Sequence, residues 1–414
     1  MNNHAVSSNE PIVYDGKLGE QYKIFILNVF LGLITLGIYH YWGKTRQRRY
    51  TTSSFSIFQD RFEYTGYGGQ LFWGMIKALV IILIFSVPLF YAIHTIDKLT
   101  KEHPKTEQTS GPSTEKKTKK GFNIGDADEK KIEIDIDKLS PKEKQTYIFA
   151  NVAMVFYFLF YYAFLPFVAI YGSLRYRITH SRWRGIRGHM NGSSVLYGFV
   201  GLFHLFLKII TFGLWIPFAD AMTYKYKMNR ISFGNQNAVF KPDYGTLFGT
   251  HLLSFFGGAF AGIAIGVIVG FMVYGLIPEA HTAAAIEIHE DAPAAIAGFV
   301  GMIAFFLCFI MARFWYRAAF VRMRYNALTF GNMGFNCKIS ALGLFRQTFG
   351  NGLILIFTLG LGYPIVIQRK MNFFCKYTTV TGDINNSPIL QAIGQQDTAG
   401  EGLSSILDIS IGLF

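Results

Sequence analysis

The stretch LGLITLGIYHYWGKTRQRRY at residues 31–50 joins an apolar run to a strongly basic exit through a Thr-Leu-Gly centre. Two further stretches share this arrangement, LKIITFGLWIPFADAMTYKYK at 207–227 and LILIFTLGLGYPIVIQRKM at 353–371. Glycine adopts backbone conformations that other residues resist, so each centre is a candidate chain reversal. The pattern therefore predicts segments that are broken in the middle.

A second unit accompanies the broken segments and reads as a basic or Tyr-rich helix end, a polar turn and β-like residues. Its copies occupy residues 48–72, 175–198, 225–249 and 324–347, with a truncated fifth copy at 376–384. Short aromatic and Thr-rich runs with Asn or Gly between them are typical of β-hairpins. The chain is therefore expected to contain internal repeats, each with a short basic hairpin.

The composition is that of a membrane protein. Of the 414 residues, 51% are hydrophobic and only 16% are charged, whereas a soluble domain has about 25% charged residues. A membrane-spanning helix needs about 20 consecutive apolar residues. Seven blocks meet or nearly meet this length, at 23–42, 71–93, 147–171, 195–218, 247–277, 294–312 and 350–367.

The net charge of +13 carries the orientation signal, because cytoplasmic loops of membrane proteins are enriched in Lys and Arg. Five basic residues lie in each of 44–70 and 173–192, four in 220–245 and six in 313–346. Residues 277–293 hold none and carry four acidic residues. Seven straight spans would place 220–245 and 313–346 outside and the acidic loop inside, which conflicts with this bias.

The conflict disappears if the three Thr-apolar-Gly segments enter and leave on the cytoplasmic side. The predicted fold is an α-helical polytopic membrane protein with four full spans, 71–93, 147–171, 247–277 and 294–312. Three Gly-broken re-entrant or interfacial helical hairpins and short basic cytoplasmic β-hairpins complete it, and both chain ends are expected in the cytoplasm. Seven straight spans with an imperfect charge bias remain the alternative.

These expectations divide the chain into successive segments. They are a first repeat at 1–93, a polar external insert at 94–146, a second repeat at 147–277, an acidic external loop at 278–293, a third repeat at 294–390 and a tail at 391–414. The insert is either a docking segment for an envelope partner or a solvated loop. Alternation of Ile132, Ile134 and Ile136 with acidic residues favours a short edge strand there.

The broken segments also supply the candidate functional residues, because broken helices that meet near the midplane form binding sites in transporters. The candidate pore or substrate residues are Thr35, Gly37, His204, Lys208, Thr211, Gly213, Asp220, Thr358 and Gly360. Ionisable groups inside apolar segments indicate function by default. The alternatives are that each Thr caps a helix turn, that Lys208 extends to the interface and that His204 satisfies a local carbonyl.

Basic residues at the inner membrane surface attract anionic lipid headgroups. The arginines expected to contact headgroups are Arg46, Arg48, Arg49, Arg182, Arg184, Arg187, Arg322 and Arg324. Nucleic acid is not expected as a partner, because topology already accounts for these charges. A homo-oligomer and an envelope protein bound through 94–146 are the other expected partners.

Motifs of catalysis are absent from the sequence. We find no nucleophile elbow, P-loop, HExxH motif or paired carboxylates in an apolar block. An odd number of cysteines without CxxC spacing argues against a disulfide framework and against a zinc site, and reduced thiols fit better. The sequence therefore predicts a protein that is not an enzyme and has no catalytic residue, metal or cofactor.

The TLGIY and RQRRY motifs of the first broken segment, the HSRWRGIR element and the NRISFG and NALTFG turns resemble the YjgN-like family of bacterial inner-membrane proteins. The similarity covers roughly residues 13–93 and 147–390. It implies an integral protein of the cytoplasmic membrane and supplies no established activity. A transporter or channel built on the broken segments is the leading hypothesis. A membrane scaffold or lipid-binding protein of the envelope without transport activity is the alternative.

Overall fold

The computed structural model describes residues 9–104, 134–276 and 292–382. The helices are α1 (Leu18–Ile34), α2 (His40–Ser53), α3 (Gly68–Glu102), α4 (Pro141–Phe158), α5 (Leu165–Thr179), α6 (Ser194–Ile210), α7 (Ile216–Met228), α8 (Tyr244–Leu276), α9 (Ala292–Asn326), α10 (Ala341–Phe357) and α11 (Tyr363–Tyr377). A π-helical turn, Leu159–Phe164, joins α4 to α5 without a break in the helix.

Four of these helices are long and apolar enough to cross a membrane, namely α3, the continuous α4–α5, α8 and α9. In the most apolar window of each, at most 22% of the residues are buried inside the protein. Side chains that are apolar and unburied in the isolated chain are those that lipid would cover. The four long helices coincide with the four predicted spans, which confirms a polytopic helical membrane protein.

The other three apolar segments are each divided into two shorter helices. Tight turns at residues 35–39, 211–215 and 358–362 join α1 to α2, α6 to α7 and α10 to α11. The predicted breaks at the Thr-apolar-Gly centres are therefore present. The second helix of the two later pairs has proline in its first turn, Pro217 in α7 and Pro364 in α11, where a missing N–H is tolerated.

The strands are short and antiparallel. They are β1 (Glu10–Pro11), β2 (Val13–Tyr14), β3 (Phe55–Ile57), β4 (Asp60–Tyr64), β5 (Ser181–Trp183), β6 (Ile186–Met190), β7 (Ile231–Phe233), β8 (Gln236–Phe240), β9 (Leu328–Phe330), β10 (Met333–Cys337) and β11 (Thr378–Thr381). The predicted basic hairpins are β3–β4, β5–β6, β7–β8 and β9–β10, each with a two-residue turn.

All eleven strands belong to one sheet, which the sequence did not predict. Its order is β1-β11-β10-β9-β8-β7-β6-β5-β4-β3-β2. The two strands at the ends of this order, β1 and β2, are separated in the chain only by Ile12, which is buried. Pro11 pairs with Thr379 and Val13 pairs with Ser56. The row of strands therefore closes on itself through residues 10–14.

The main core lies between the strands and the helices that lead into them. One buried cluster contains Tyr171, Met190, Tyr224 and Phe240, from α5, β6, α7 and β8. A second cluster joins Ile12 to residues of β3, α9, β10, α11 and β11. The helices α5, α7, α9 and α11, each of which leads into a strand, are thus fixed against the ring of strands by apolar contact.

The chain divides into two compact units, residues 77–165 and the remainder. Within the first, α3 packs on the α4 helix and its π-turn through Phe85 and Phe160, whose ring centroids are 5.2 Å apart. Within the second, α8 and α9 approach closely at glycines. A Cβ on Gly266 would lie 2.7 Å from the Gly301 carbonyl oxygen, so a side chain there would force the helices apart.

The predicted edge strand in the polar insert is not formed where the structure describes the chain. Ile134 makes one isolated bridge with Pro104, and Ile136 begins a short 3₁₀ turn that extends to Lys138. Ile132 and most of the insert lie outside the described residues, as do most of the acidic loop and the tail.

Candidate functional site

The three turns between the short helices have the same backbone conformation. Leu36, Phe212 and Leu359 all have φ of +49°, and the glycine that follows each has φ between +87° and +89°. Two successive residues in the left-handed region end the helix. In each turn the glycine N–H donates to a carbonyl five residues earlier, for example Gly213 N to Lys208 O at 2.8 Å.

The threonine hydroxyl holds each of these turns together. Thr211 Oγ1 donates to Leu207 O at 2.7 Å and accepts from Trp215 N at 3.0 Å. Thr35 makes the equivalent bonds to Leu31 O and from Tyr39 N. One hydroxyl therefore bridges the end of the first helix and the start of the second.

Thr358 follows the same pattern, with bonds to Ile354 O at 2.6 Å and from Gly362 N at 2.7 Å. The single proton of each hydroxyl is thus engaged by the backbone. This arrangement favours the capping role for the three threonines.

The tip of each turn carries a large apolar side chain that is almost fully exposed. The exposed fractions are 93% for Leu36, 90% for Phe212 and 92% for Leu359. Side chains this exposed do not contact one another, so these residues do not close a narrow constriction between the three turns.

The structure brings together two of the predicted ionisable residues, Lys208 and Asp220. The Lys208 ammonium lies 2.9 Å from Asp220 Oδ1, and the Tyr316 hydroxyl donates to Asp220 Oδ2 at 2.9 Å. Asp220 therefore joins three helices, because Lys208 lies on α6, Asp220 on α7 and Tyr316 on α9. Lys208 and Asp220, which are both candidate pore or substrate residues, are therefore in direct contact.

His204 lies beside this group and has a different partner. Its Nδ1 accepts from Trp215 Nε1 at 3.1 Å, and the two rings stack at 6.4 Å between centroids. Because Trp215 is in the turn between α6 and α7, this bond fixes the turn against α6. His204 thus stabilises the helix pair and faces the same side of α6 as Lys208.

A second polar group, which the sequence analysis missed, lies on α8 and α9. Both terminal nitrogens of Arg313 lie 3.3 Å from His251 Nδ1, and one donates to Ser254 Oγ at 3.0 Å. His251 and Ser254 are buried. The His251 ring meets the Tyr316 ring edge to face, so the two groups adjoin. A histidine inside an apolar block was the available signal.

Several arginines assigned to lipid headgroups bind the protein itself. Arg49 donates to Gly66 O at 3.2 Å, and Arg322 donates to Ile339 O at 2.8 Å. Arg175 makes the equivalent bond to Gly192 O at 3.0 Å. Each of these arginines lies six residues before the first strand of a hairpin and donates to the carbonyl two residues after its second strand. The three bonds therefore fix the chain where it leaves the ring of strands.

The other arginines that were expected to contact headgroups differ in their contacts and in their exposure. Arg184 pairs with Asp60 and lies 5.0 Å from the Trp183 ring centroid. Arg182 is opposite Glu63 in the sheet. Arg46 is exposed, and its guanidinium lies 5.9 Å from the Tyr39 ring. Arg48, Arg187 and Arg324 are half-buried.

One cluster at the end of α3 and the start of α4 has the side-chain types of a metal site. Ligand atoms of Glu102, His103 and Glu143 lie within 4.8 Å of one another. Glu143 also accepts from Ser140 N at 2.8 Å and completes a capping box at the start of α4. Lys98 lies 3.8 Å from Glu102. These contacts give both carboxylates a role in holding helix ends.

Comparison with known proteins identifies the family. The sequence model of a family described as bacterial protein of unknown function (DUF898) matches residues 9–406. The chain is 34% identical over 96 residues to the inner membrane protein YjgN of Salmonella typhimurium. That similarity covers 22% of this chain and 24% of the relative. No solved structure matches the chain.

Proposed function

This chain belongs to the YjgN-like (DUF898) family of bacterial membrane proteins of unknown function, and on that premise we propose that it is a non-catalytic scaffold of the inner membrane. In this proposal four long helices anchor the protein and the ring of strands lies on the cytoplasmic face. Three short helix pairs dip into the adjoining leaflet and organise its lipids. The three exposed apolar turns carry the proposal.

The continuous sheet supports the proposal that every basic connection lies on the same side of the membrane. Each short helix pair begins after one strand and ends before its neighbour in the ring, as α6 and α7 do between β6 and β7. The strands of this ring are two to five residues long, whereas a strand that crosses a bilayer needs about 9–11 residues, so the ring does not lie across the membrane. A pair that leaves the ring and returns to it therefore makes no net crossing.

The length of the short helices supports partial insertion. Each of the leading helices α1, α6 and α10 has 17 residues. At about 1.5 Å per residue such a helix is about 25 Å long, and it starts at the ring of strands. The hydrocarbon core is about 30 Å thick. The turns would therefore end inside the bilayer and short of its far surface.

The conformation of the tips supports contact with lipid. A left-handed conformation costs a residue other than glycine about 1–2 kcal/mol, and asparagine would meet that cost more easily. Leu36, Phe212 and Leu359 all adopt it and leave an apolar side chain unburied. Transfer of such a side chain into hydrocarbon yields about 1.5–3 kcal/mol. The gain from insertion of the tips is therefore of the same size as the conformational cost or larger.

The test measures the depth of these tips. Single cysteines replace Leu36, Phe212 or Leu359 in a variant without Cys308, Cys337 and Cys375, and a fluorescent label on each is quenched by lipids brominated at different positions. We expect quenching by mid-chain bromines and protection from a water-soluble maleimide on both sides of the membrane. The matched control is a label at Asn235, in the turn between β7 and β8. Rapid labelling of all three tips from water would overturn the proposal.

Transport remains a second candidate, and the polar group around Asp220 favours it. Lys208, Asp220, Tyr316, His251 and Arg313 form adjoining contacts between α6, α7, α8 and α9. Ionisable groups within the membrane segments of a protein often mark a path for ions.

Two cavities in the described part of the chain are lined by no residue of the three Thr-apolar-Gly turns. One is an apolar groove of about 560 Å³ between α8 and α9, and the other is a polar hollow of about 360 Å³ beside β8. Proton or ion flux in liposomes that vanishes in Asp220→Asn would favour transport. Flux equal to that of protein-free liposomes would leave the scaffold proposal.

A further inference from the structure

Three cations occupy the same position in three successive hairpins. Arg177, Lys227 and Arg324 each lie four residues before the first residue of β5, β7 and β9 respectively. They come from three different helices, α5, α7 and α9. The charges of Arg177 and Arg324 both disfavour the protonated form of Lys227.

Lys227 is the central member of this group. Its ammonium lies 5.8 Å from the centroid of the Tyr197 ring and 5.9 Å from that of Tyr224. Among the residues that the structure describes, it has neither an ion pair nor a hydrogen bond. Protein groups surround the side chain, yet part of it remains accessible to solvent. The side chain is therefore largely enclosed by protein without being fully buried.

Arg324 shares the Tyr224 ring with Lys227. Its guanidinium carbon lies 4.7 Å from the centroid of that ring. The Nε atom of Arg324 is buried and has no acceptor among the described residues. Asp220, whose charge acts on Lys227, is already bonded to Lys208 and Tyr316. The described part of the chain thus leaves donors of two cations without an anionic partner.

Uncompensated charge in such a setting is unfavourable, since the effective desolvation penalty of a buried ion is several kcal/mol. An anion between the cations would offset this penalty and would accept hydrogen bonds from their N–H groups that have no acceptor. A tetrahedral oxyanion suits this donor set, because it offers several acceptors to an ammonium with three donors and to a guanidinium fork. We infer that Lys227 and Arg324 form an anion site for a phosphate group within the ring of strands.

A phosphate group at this site has two sources, a free phosphate from the cytoplasm or the headgroup of an anionic lipid. The site is separate from the three exposed turns, so it does not depend on their insertion. The probes are inorganic phosphate and phosphatidylglycerol. Protein is placed in phosphatidylcholine nanodiscs with radiolabelled phosphate, or in nanodiscs with added phosphatidylglycerol, and retained lipid is measured by native mass spectrometry.

We expect the wild type to retain one of these two probes, and which one identifies the source. Lys227→Gln with Arg324→Gln should weaken retention at least tenfold. Lys225→Gln, an exposed cation two residues away on the same helix, should change it less than twofold. If the wild type retains neither probe more strongly than the double variant does, the inference is wrong.

A charge-preserving variant covers the case in which the double variant misfolds. Burial, assisted by Arg324, lowers the pKa of Lys227 to about 8. Arg177 acts in the same direction, Asp220 opposes it, and Tyr197 and Tyr224 are the remaining groups that face the ammonium. Retention by the wild type should therefore decline as the pH rises through about 8. Lys227→Arg should keep its retention at pH 9.5, and parallel loss in both proteins would contradict the inference.

Discussion

Asp220 accepts a hydrogen bond from Lys208 across the turn between α6 and α7, at 2.9 Å. The same carboxylate accepts one from Tyr316 on α9. The pair is about one-third exposed, so its Coulombic contribution is at most about 1 kcal/mol, and the tyrosine bond adds a similar amount. The carboxylate is therefore a junction between a short helix pair and a long helix.

Replacement of Asp220 should weaken this junction. We expect Asp220→Asn to lower the free energy of unfolding in detergent by about 1–2 kcal/mol, because a neutral amide loses the ion pair and a good acceptor. Addition of Lys208→Gln should cost less than it does alone, since its partner is already lost. Additive effects in this double-mutant cycle would show that the two residues act independently.

The threonine turns give a second prediction. Thr211→Val should lower the free energy of unfolding by about 1–2 kcal/mol, because Trp215 N loses its acceptor and the methyl group cannot replace it. Thr211→Ser should recover most of that loss. Thr250 is a matched control, since its hydroxyl donates to Thr246 O within α8 through a solvent-exposed hydrogen bond. An equal loss in Thr250→Val would mean that the bridging bond contributes nothing specific.

Cysteine labelling tests whether all hairpins lie on one side. Gln59 is in the turn between β3 and β4, and Asn235 is in the turn between β7 and β8. In a variant without native cysteines, we expect both substituted positions to react only when the reagent reaches the cytoplasm. Ser113→Cys in the polar insert should react from outside. Seven straight spans would place Gln59 and Asn235 on opposite sides, and external labelling of Asn235→Cys alone would support that arrangement.

The native Cys375 should react slowly with thiol reagents in the folded wild type. Burial raises the pKa of the Cys375 thiol to about 12, so almost none of it is thiolate at pH 8. Cys337 is buried. We therefore expect Cys375 in the folded wild type to react with maleimide at least tenfold more slowly than a cysteine at Ser113. Reaction at comparable rates would contradict the packing of α11.

Lys227 predicts how stability depends on pH. Its pKa is lowered to about 8, so the unfolded chain holds the proton more tightly than the folded one. In phosphate-free buffer, the contribution of Lys227 to stability should therefore rise between about pH 8 and pH 10.5 and be constant below pH 8. Lys227→Met should raise the melting temperature at pH 7 and flatten this rise. A steeper rise in the variant would argue against a desolvated ammonium.

The sequence predicted the elements far better than their assembly. Block length and charge placed the four long helices, and the Thr-apolar-Gly centres placed the turns, because both signals are local. Closure of the ring depends on pairs such as Glu10 with Val380, which no local pattern encodes. The partners of Asp220 could be predicted only in part. Lys208 is close in sequence, whereas Tyr316 is brought near by the packing of α9.

The capping role of the three threonines is supported by their hydrogen bonds. Insertion of the turn tips into lipid stays a prediction. The hydroxyl of Thr35 is engaged by Leu31 and Tyr39, which a sequence cannot reveal because side-chain direction depends on the turn. The arginines illustrate the same limit. Arg49 and Arg46 look alike in sequence, yet only Arg49 has its guanidinium bonded to a backbone carbonyl at the hairpin exit.

Closure of the strand row at Ile12 has a consequence for biosynthesis. β1 emerges from the ribosome first and β11 last of the eleven strands, yet the two are partners. Until β11 is made, β1 and β10 present unpaired edges, which are the parts of a sheet most prone to pair with other chains. The first strand therefore stays without its partner until the last strand is made, and a delay in translation of the last helix pair would prolong its exposure to aggregation.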